Sequence, residues 1–176
     1  MTSSFRSARI LAQLATEADA PEIVEVYEGN RELLLLLERE NDPLVLTHRF
    51  VHRLNLPPKV SPTGLHNMIL RDVRSERAIG LLSLYMGYPA AKIAYVGELF
   101  LHPEFHGAGL GREAYLRLES VLRLGPVNQV RVGVGLKNWN ALRFWIRLGF
   151  AHITGMSGDR YFGPERHAFL ELQKNL

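Results

Sequence analysis

The 176-residue chain contains no cysteine. That one absence removes disulfides, thiolate metal sites and a cysteine nucleophile together, and it fits a reducing compartment, so a cytoplasmic protein is expected. Long hydrophobic runs are missing as well. The leucine run 33–37 is bounded by Arg31, Glu32, Glu38 and Arg39, far short of the roughly 20 apolar residues of a spanning helix. The opening stretch "MTSSFRSARILAQLA" is too short and too interrupted for a secretion signal. No membrane association is expected. Neither sign of charge dominates, with 21 Lys and Arg against 18 Asp and Glu for a net +3. The basic residues are scattered, which argues against nucleic acid as a partner, while a mild positive bias suits an anionic small molecule. No G-x-S-x-G elbow occurs, and no internal repeat or low-complexity tract.

What is present is a hydrophobic content of 47%, enough for one domain over residues 1–176 with a sizeable core. Residues 9–15 read as a first strand. From Thr16 a helical pattern follows, opened by a capping box in which Asp19 takes the usual Glu place. Gly29 and Asn30 divide that helix. Five consecutive leucines cannot all face one core, so some line a groove or a subunit contact unless all are buried against the sheet. Residues 44–54 predict another helix and 55–64 a Pro-rich loop. Three strands follow, at 67–73, 78–86 and 91–102. The pattern then gives a glycine loop, a helix over 110–124, a strand at 129–136, a helix over 138–149, and two terminal strands joined by a Gly-rich loop. The expected fold is α/β (α+β), with a mixed, mostly antiparallel sheet of six to seven strands flanked by about four helices.

The segment "HGAGLG" (106–111) opens the helix at 110. The first N–H groups of a helix lack intrahelical partners and carry the positive end of its dipole. Gly107, Gly109 and Gly111 clear side chains away, so phosphate or pyrophosphate is the natural guest; a tight turn without ligand is the alternative. A triphosphate loop is excluded because no lysine follows a glycine in this chain. A dinucleotide fold matches G-x-G-x-x-A at 109–114. Yet the ribose-binding acid is missing, since no Asp or Glu occurs between Glu119 and Asp159.

"HGAGLG" also resembles the Gln/Arg-x-x-Gly-x-Gly/Ala signature of the GNAT N-acetyltransferase superfamily, with His106 in first position. The preceding "VGELFLHPEF" (96–105) resembles that family's fourth strand. "NWNALRFWIRLGF" (138–150) is similar to its second signature, with Asn138, Ala141, Phe144, Trp145 and Leu148-Gly149-Phe150 in register. The resemblance covers most of the chain from Ala15 onward. It implies a sheet splayed between the fourth and fifth strands, acetyl-CoA as co-substrate without a metal, a primary amine as acceptor, and direct transfer in a ternary complex. A non-catalytic CoA-binding sensor or adaptor on the same fold is the alternative. A homodimer is common in the family.

By that resemblance, main-chain groups of Leu99, Phe100 and Leu101 bind pantetheine, and the Leu99 N–H is the oxyanion donor. The pyrophosphate sits on His106, Gly107, Ala108, Gly109, Leu110, Gly111 and Arg112. The His106 imidazole either leans toward phosphate or is a solvated loop side chain. Asn138 either caps its helix or reaches pantetheine. Ala141, Phe144 and Trp145 line the cofactor's arm, unless the two aromatics are simply core. Gly133 and Gly135 leave one strand face bare, for a ligand or for close packing of a helix. Glu98 is the candidate general base, its pKa raised if buried, or else it anchors a bulge or binds the acceptor's ammonium. Trp145 stands where the family often places an acidic tyrosine, and an indole N–H is not a usable acid. Tyr85, Tyr88, Tyr115 or water are the substitutes, or the thiolate leaves unprotonated. Arg160, Tyr161 and Arg166 near the last loop favour an acidic acceptor or are solvated. His48 and His52 have a metal-binding spacing but read as helix surface.

Overall fold

A computed structural model describes residues 4–37, 40–57 and 60–176. Glu38 and Arg39, which bound the leucine run, and Pro58 and Lys59 of the Pro-rich loop lie outside the described residues, as do residues 1–3. The elements are β1 (Ser4–Arg6), β2 (Ile10–Leu14), α1 (Ala20–Gly29), α2 (Arg31–Leu37), α3 (Pro43–Val51), β3 (Leu65–Asp72), β4 (Ala78–Met86), β5 (Ile93–Leu101), α4 (Leu110–Leu122), β6 (Gln129–Gly135), α5 (Trp139–Arg147), β7 (His152–Gly158) and β8 (Ala168–Asn175). They build one eight-stranded sheet in the order β1-β2-β3-β4-β5-β6-β8-β7. Only the β5–β6 pair is parallel, joined by the crossover helix α4. The mixed, mostly antiparallel architecture is therefore as expected. The extra strand is the three-residue β1, too short to show an alternation, and division of the first helix brings the α-helices to five.

Local chemistry explains the breaks. Asp19 accepts from the Thr16 N–H and hydroxyl, both at 2.8 Å, and Pro21 starts α1 in the first turn, where its missing N–H is harmless. The end of α1 is set by close approach: a Cβ on Gly29 would lie 2.6 Å from the His102 ring. Asn30 then turns its amide back to the Val26 carbonyl and across to the Leu101 carbonyl, at 2.8 and 3.0 Å. In α2 the leucines split, with Leu34 and Leu37 buried and Leu35 and Leu36 exposed. Asp42 caps α3 through the Leu44 N–H at 2.9 Å.

The sheet separates two cores. On one face α4, α5 and the Phe150 that follows α5 lay Leu110, Tyr115, Leu118, Trp145 and Phe150 against Val96, Val130 and Val132. On the other face α1, α2 and α3 lay Ile23, Tyr27, Leu34 and Phe50 against Ile69 and Leu81. No helix among the described residues is long and apolar enough to cross a membrane.

Candidate functional site

Ladder register fixes the site. β5 pairs with β4 as Leu84↔Val96 and then Ser83↔Glu98, so Gly97 is an extra residue, a β-bulge. On its other side β5 pairs with β6 only from Ile93↔Gln129 to Val96↔Val132. Beyond the bulge the two strands part, and Glu98–Leu101 has no ladder partner on that side. β6 continues against β8 alone, from Gly133↔Glu171 to Gly135↔Phe169. The result is a fork whose base lies at Val96 and Val132.

Alternation decides what the open arm presents. The Leu101 carbonyl accepts from Asn30 and from the His106 imidazole, at 3.0 and 2.8 Å, whereas the next N–H, His102, bonds to Ile79 of β4 at 2.9 Å. Leu99 and Leu101 therefore turn their backbone groups away from β4, and Phe100 turns its own into the ladder. Of the three residues expected to offer main-chain groups, Leu99 does so freely. Leu101 has its carbonyl already occupied, and Phe100 offers none; its ring packs edge-on to Tyr27 instead, at 6.1 Å between centroids.

The bulge also places Glu98 on the same face as Tyr95, because their β4 partners Ser83 and Tyr85 are two residues apart. Glu98 is half-buried. The Tyr27 hydroxyl donates to its Oε2 at 2.7 Å and the Asn55 amide to its Oε1 at 3.4 Å. Burial pushes the carboxyl above its ordinary range, and these two donors pull it back. A ring of phenols surrounds the fork base, with Tyr85, Tyr88 and Tyr95 at 5.4 to 6.5 Å between centroids. A Cβ on Gly97 would lie 3.0 Å from the Tyr85 ring, and one on Gly133 would lie 2.7 Å from the Tyr95 hydroxyl. The bare face of β6 is thus taken by close packing, but of side chains: Tyr95 over Gly133 and Leu37 of α2 over Gly135. Burial first, then the Glu171 charge, pushes the Tyr95 phenol up to about 12.

At the mouth of the fork, Gly107 and Gly109 have φ of +75° and +78°, the left-handed region open to glycine. Gly109 is the N-cap of α4, and a Cβ at Gly107 would meet nothing within 4 Å. The loop is braced from outside. Arg9 donates to the Ala108 carbonyl at 3.1 Å and pairs with Glu113 at 2.7 Å. The His106 ring points back to Leu101 rather than outward. Beside the start of α4 lies a cavity of about 370 Å³ lined by Arg112, Asn140, Arg143, Phe144, Arg147 and Leu148. Among the described residues these three arginines have no carboxylate partner, and all are exposed. Nothing in the sequence motifs singles out Arg143 and Arg147, although their i, i+4 spacing on α5 puts them on one face.

The remaining candidates have protein contacts of their own. Asn138 caps α5 through the Ala141 N–H at 2.9 Å. Phe144 reaches the cavity, whereas Trp145 is 5% exposed in the core, wedged between Tyr115, Phe144 and Phe150. Tyr115 is buried too, at 1% exposed, with its phenol beside the Glu119 carboxylate. Arg166 is not free, since it pairs with Asp159 at 3.6 Å. The His48 and His52 rings lie 4.4 Å apart between centroids, tilted by 55°, and no three-residue metal-binding group occurs among the described residues.

The sequence matches the family model described as Acetyltransferase (GNAT) family over residues 25–150. No curated protein matches the chain. In fold it is similar to an acetyltransferase from Thermus thermophilus at 22% identity, covering 98% of this chain and 100% of that one with a TM-score of 0.72. It is also similar to a ribosomal L7/L12 alpha-N-protein acetyltransferase in complex with coenzyme A, at 16% identity, 97% and 96% coverage and a TM-score of 0.76. A spermidine N-acetyltransferase from Vibrio cholerae, in complex with CoA and spermine, matches at 15% identity, 96% of each chain and a TM-score of 0.72.

Proposed function

Because the chain belongs to the GNAT acetyltransferase family, we propose that it is an N-acetyltransferase moving acetyl from acetyl-CoA to a primary amine, by direct transfer within a ternary complex. One observation carries the reading: three arginines with no carboxylate partner among the described residues, Arg112, Arg143 and Arg147, converge beside the N-terminal N–H groups of α4. Four or more phosphate charges on one extended ligand match that set. The remaining residues fit the same guest. Gly107 to Arg112 would hold the pyrophosphate by backbone N–H groups, and the open arm of β5 would pair an extended amide chain at Leu99. Phe144 would wall that chain, with Trp145 and Ala141 supporting it from behind.

Acetyl-CoA would supply the acyl group activated as a thioester. Glu98, facing the fork with a raised pKa, removes the proton that the acceptor ammonium must lose before its nitrogen can attack. The Leu99 N–H, turned into the fork, donates to the carbonyl oxygen as it gains charge. Trp145 supplies no acid from inside the core. A thiol with a pKa near about 8.5 is a tolerable leaving group as its anion, so the chain needs no phenol at that position.

The test is a panel of primary amines incubated with protein and acetyl-CoA, read by free thiol and by product mass. Acceptor-dependent thiol release is expected. CoA binding with no such release across polyamines, amino acids and peptide N-termini would leave the non-catalytic sensor as the reading.

A further inference from the structure

Three polar side chains stand in one row across three adjacent strands. Asn67 of β3 is the register partner of Ser83 of β4, and Ser83 is the register partner of Glu98 of β5. Their surroundings are apolar, "LHNMILRD" and "AIGLLSLYM", and Asn67 and Ser83 are 4% and 0% exposed. A buried amide or hydroxyl left unpaired costs roughly 1–3 kcal/mol, so such a pair in the middle of a sheet must be satisfied internally. It is, and in one direction. The Ser83 hydroxyl donates to Asn67 Oδ1 at 2.8 Å. Asn67 Nδ2 donates to the Phe50 carbonyl at 2.6 Å and to Asn55 Oδ1 at 2.8 Å.

Those bonds orient Asn55, in the segment that follows α3. Its oxygen is taken by the Asn67 donor, so its amide nitrogen must point toward β4 and β5. There Nδ2 lies 3.2 Å from Ser83 Oγ and 3.4 Å from Glu98 Oε1. Ser83 has committed its own hydrogen to Asn67 and can only accept. Each oxygen of Glu98 thus meets one donor, Tyr27 of α1 on Oε2 and Asn55 on Oε1. Among the described residues Tyr85 of β4 and Tyr95 of β5 share a sheet face with Glu98; burial keeps both phenols protonated, helped for Tyr85 by the Glu98 charge and for Tyr95 by the Glu171 charge. No lysine, arginine or histidine pairs with Glu98 among the described residues. The carboxylate therefore depends on two neutral donors, and one of them sits on a loop.

We propose that Asn55 is a positioning residue for Glu98, aimed by the Asn67–Ser83 pair so that its amide favours the ionised form of the carboxyl and directs it at the fork. The inference rests on reading Glu98 as the base. A donor to the charged form favours it. Undocking Asn55 leaves Glu98 with Tyr27 alone and raises its pKa, so loop position and base strength are linked. A residue that only pins the loop would alter stability and acceptor KM without touching the titration of Glu98.

The test uses Asn55→Ala and Asn55→Ser in the full chain, with retained folding shown by melting, and Asn67→Ala as an indirect variant. The acid limb of kcat should move up by about half a pH unit, with the alkaline plateau within about twofold of wild type and the KM for acetyl-CoA unchanged. Asn55→Asp, which sets a second carboxyl beside Glu98, should move it further in the same direction. Carbon-13 NMR of the Glu98 carboxyl, assigned with Glu98→Gln, should show the same displacement without turnover. An unmoved carboxyl titration in Asn55→Ala and Asn55→Ser overturns the inference. A pH–rate profile unaltered by Glu98→Gln overturns the base reading alone, and the NMR titration then still decides the role of Asn55.

Discussion

The Tyr27 hydroxyl donates a 2.7 Å hydrogen bond to Glu98, tying α1 to the bulged strand across 71 residues of sequence. The bond opposes the burial that raises the Glu98 pKa. Tyr27→Phe removes it while keeping the ring contacts with Phe50 and Phe100. The acid limb of the pH–rate profile should shift to higher pH, with the plateau retained. Glu98→Gln should lower turnover by about 10²-fold or more, and more at low pH than at high pH, because fewer acceptor amines are then neutral. A uniform loss across pH would remove Glu98 from the base role.

The same carboxyl bears on stability. Its folded-state pKa lies above the ordinary 4.5, so its protonated form is the one the fold prefers. The stability it contributes is complete below pH 4.5 and is lost as pH rises through the folded value. Glu98→Gln, which keeps an acceptor for Tyr27 and never ionises, should match wild type near pH 4 and melt higher at pH 8. Thermal melts at the two pH values decide it; a variant less stable at pH 8 than at pH 4, relative to wild type, reverses the sign and defeats the account.

Arg112, Arg143 and Arg147 are exposed and hold no fold-stabilising ion pair among the described residues. Each single Ala substitution should leave Tm within about 1 °C, as surface changes do, and raise the KM for acetyl-CoA roughly 5- to 10-fold with kcat unchanged. The penalty should shrink at high salt as the attraction is screened. An unchanged KM in all three variants would move the phosphates elsewhere.

Much of this is legible in the sequence, and what is not has a physical reason. The interrupted first helix shows in Gly29-Asn30, because a glycine followed by a back-bonding Asn is a local helix stop, while the approach of His102 and Leu101 to the pair is not visible in the sequence. The fork is anticipated through family resemblance, and its register cause, the extra residue Gly97, emerges only when β4 is laid beside β5. Tyr27, Asn55 and Asn67 carry no signal by themselves. Tyr27 and Asn55 matter by meeting Glu98, and Asn67 by holding Asn55, from three distant segments, and such long-range pairs leave no mark in local periodicity. For Trp145 the sequence leaves open a wall of the cofactor arm or core; the contacts with Tyr115 and Phe150 put it in the core.

Gly133 and Tyr95 make a second testable pair. A methyl at 133 would lie 2.7 Å from the phenol oxygen, closer than van der Waals contact allows. Gly133→Ala alone should destabilise by about 1–3 kcal/mol through overpacking. Tyr95→Phe removes the oxygen that clashes, so the double variant should recover much of that loss. A double-mutant cycle by urea denaturation measures it, and strict additivity would mean that the hydroxyl is not what the glycine accommodates.

On the sheet face covered by α1, Arg71 of β3 anchors the start of that helix. Its guanidinium meets Asp19 and Glu22, each at 2.6 Å, with Arg71 and Asp19 largely buried. Burial works to raise the Asp19 pKa, but the bonds from Thr16 and Arg71 outweigh it; for Glu22 the Arg71 hydrogen bond dominates. Both carboxyls end below their ordinary values, 3.8 and 4.5. The stability they contribute is therefore present above those values and lost as pH falls through the lowered ones. Arg71→Ala should cost about 2 kcal/mol at pH 7, the worth of charged hydrogen bonds, and lower Tm by about 4–8 °C. Melting both proteins between pH 7 and pH 3 should show the gap closing as the carboxylates protonate. A gap as wide at pH 3 as at pH 7 would mean that Arg71 acts by packing its stem rather than by its charge.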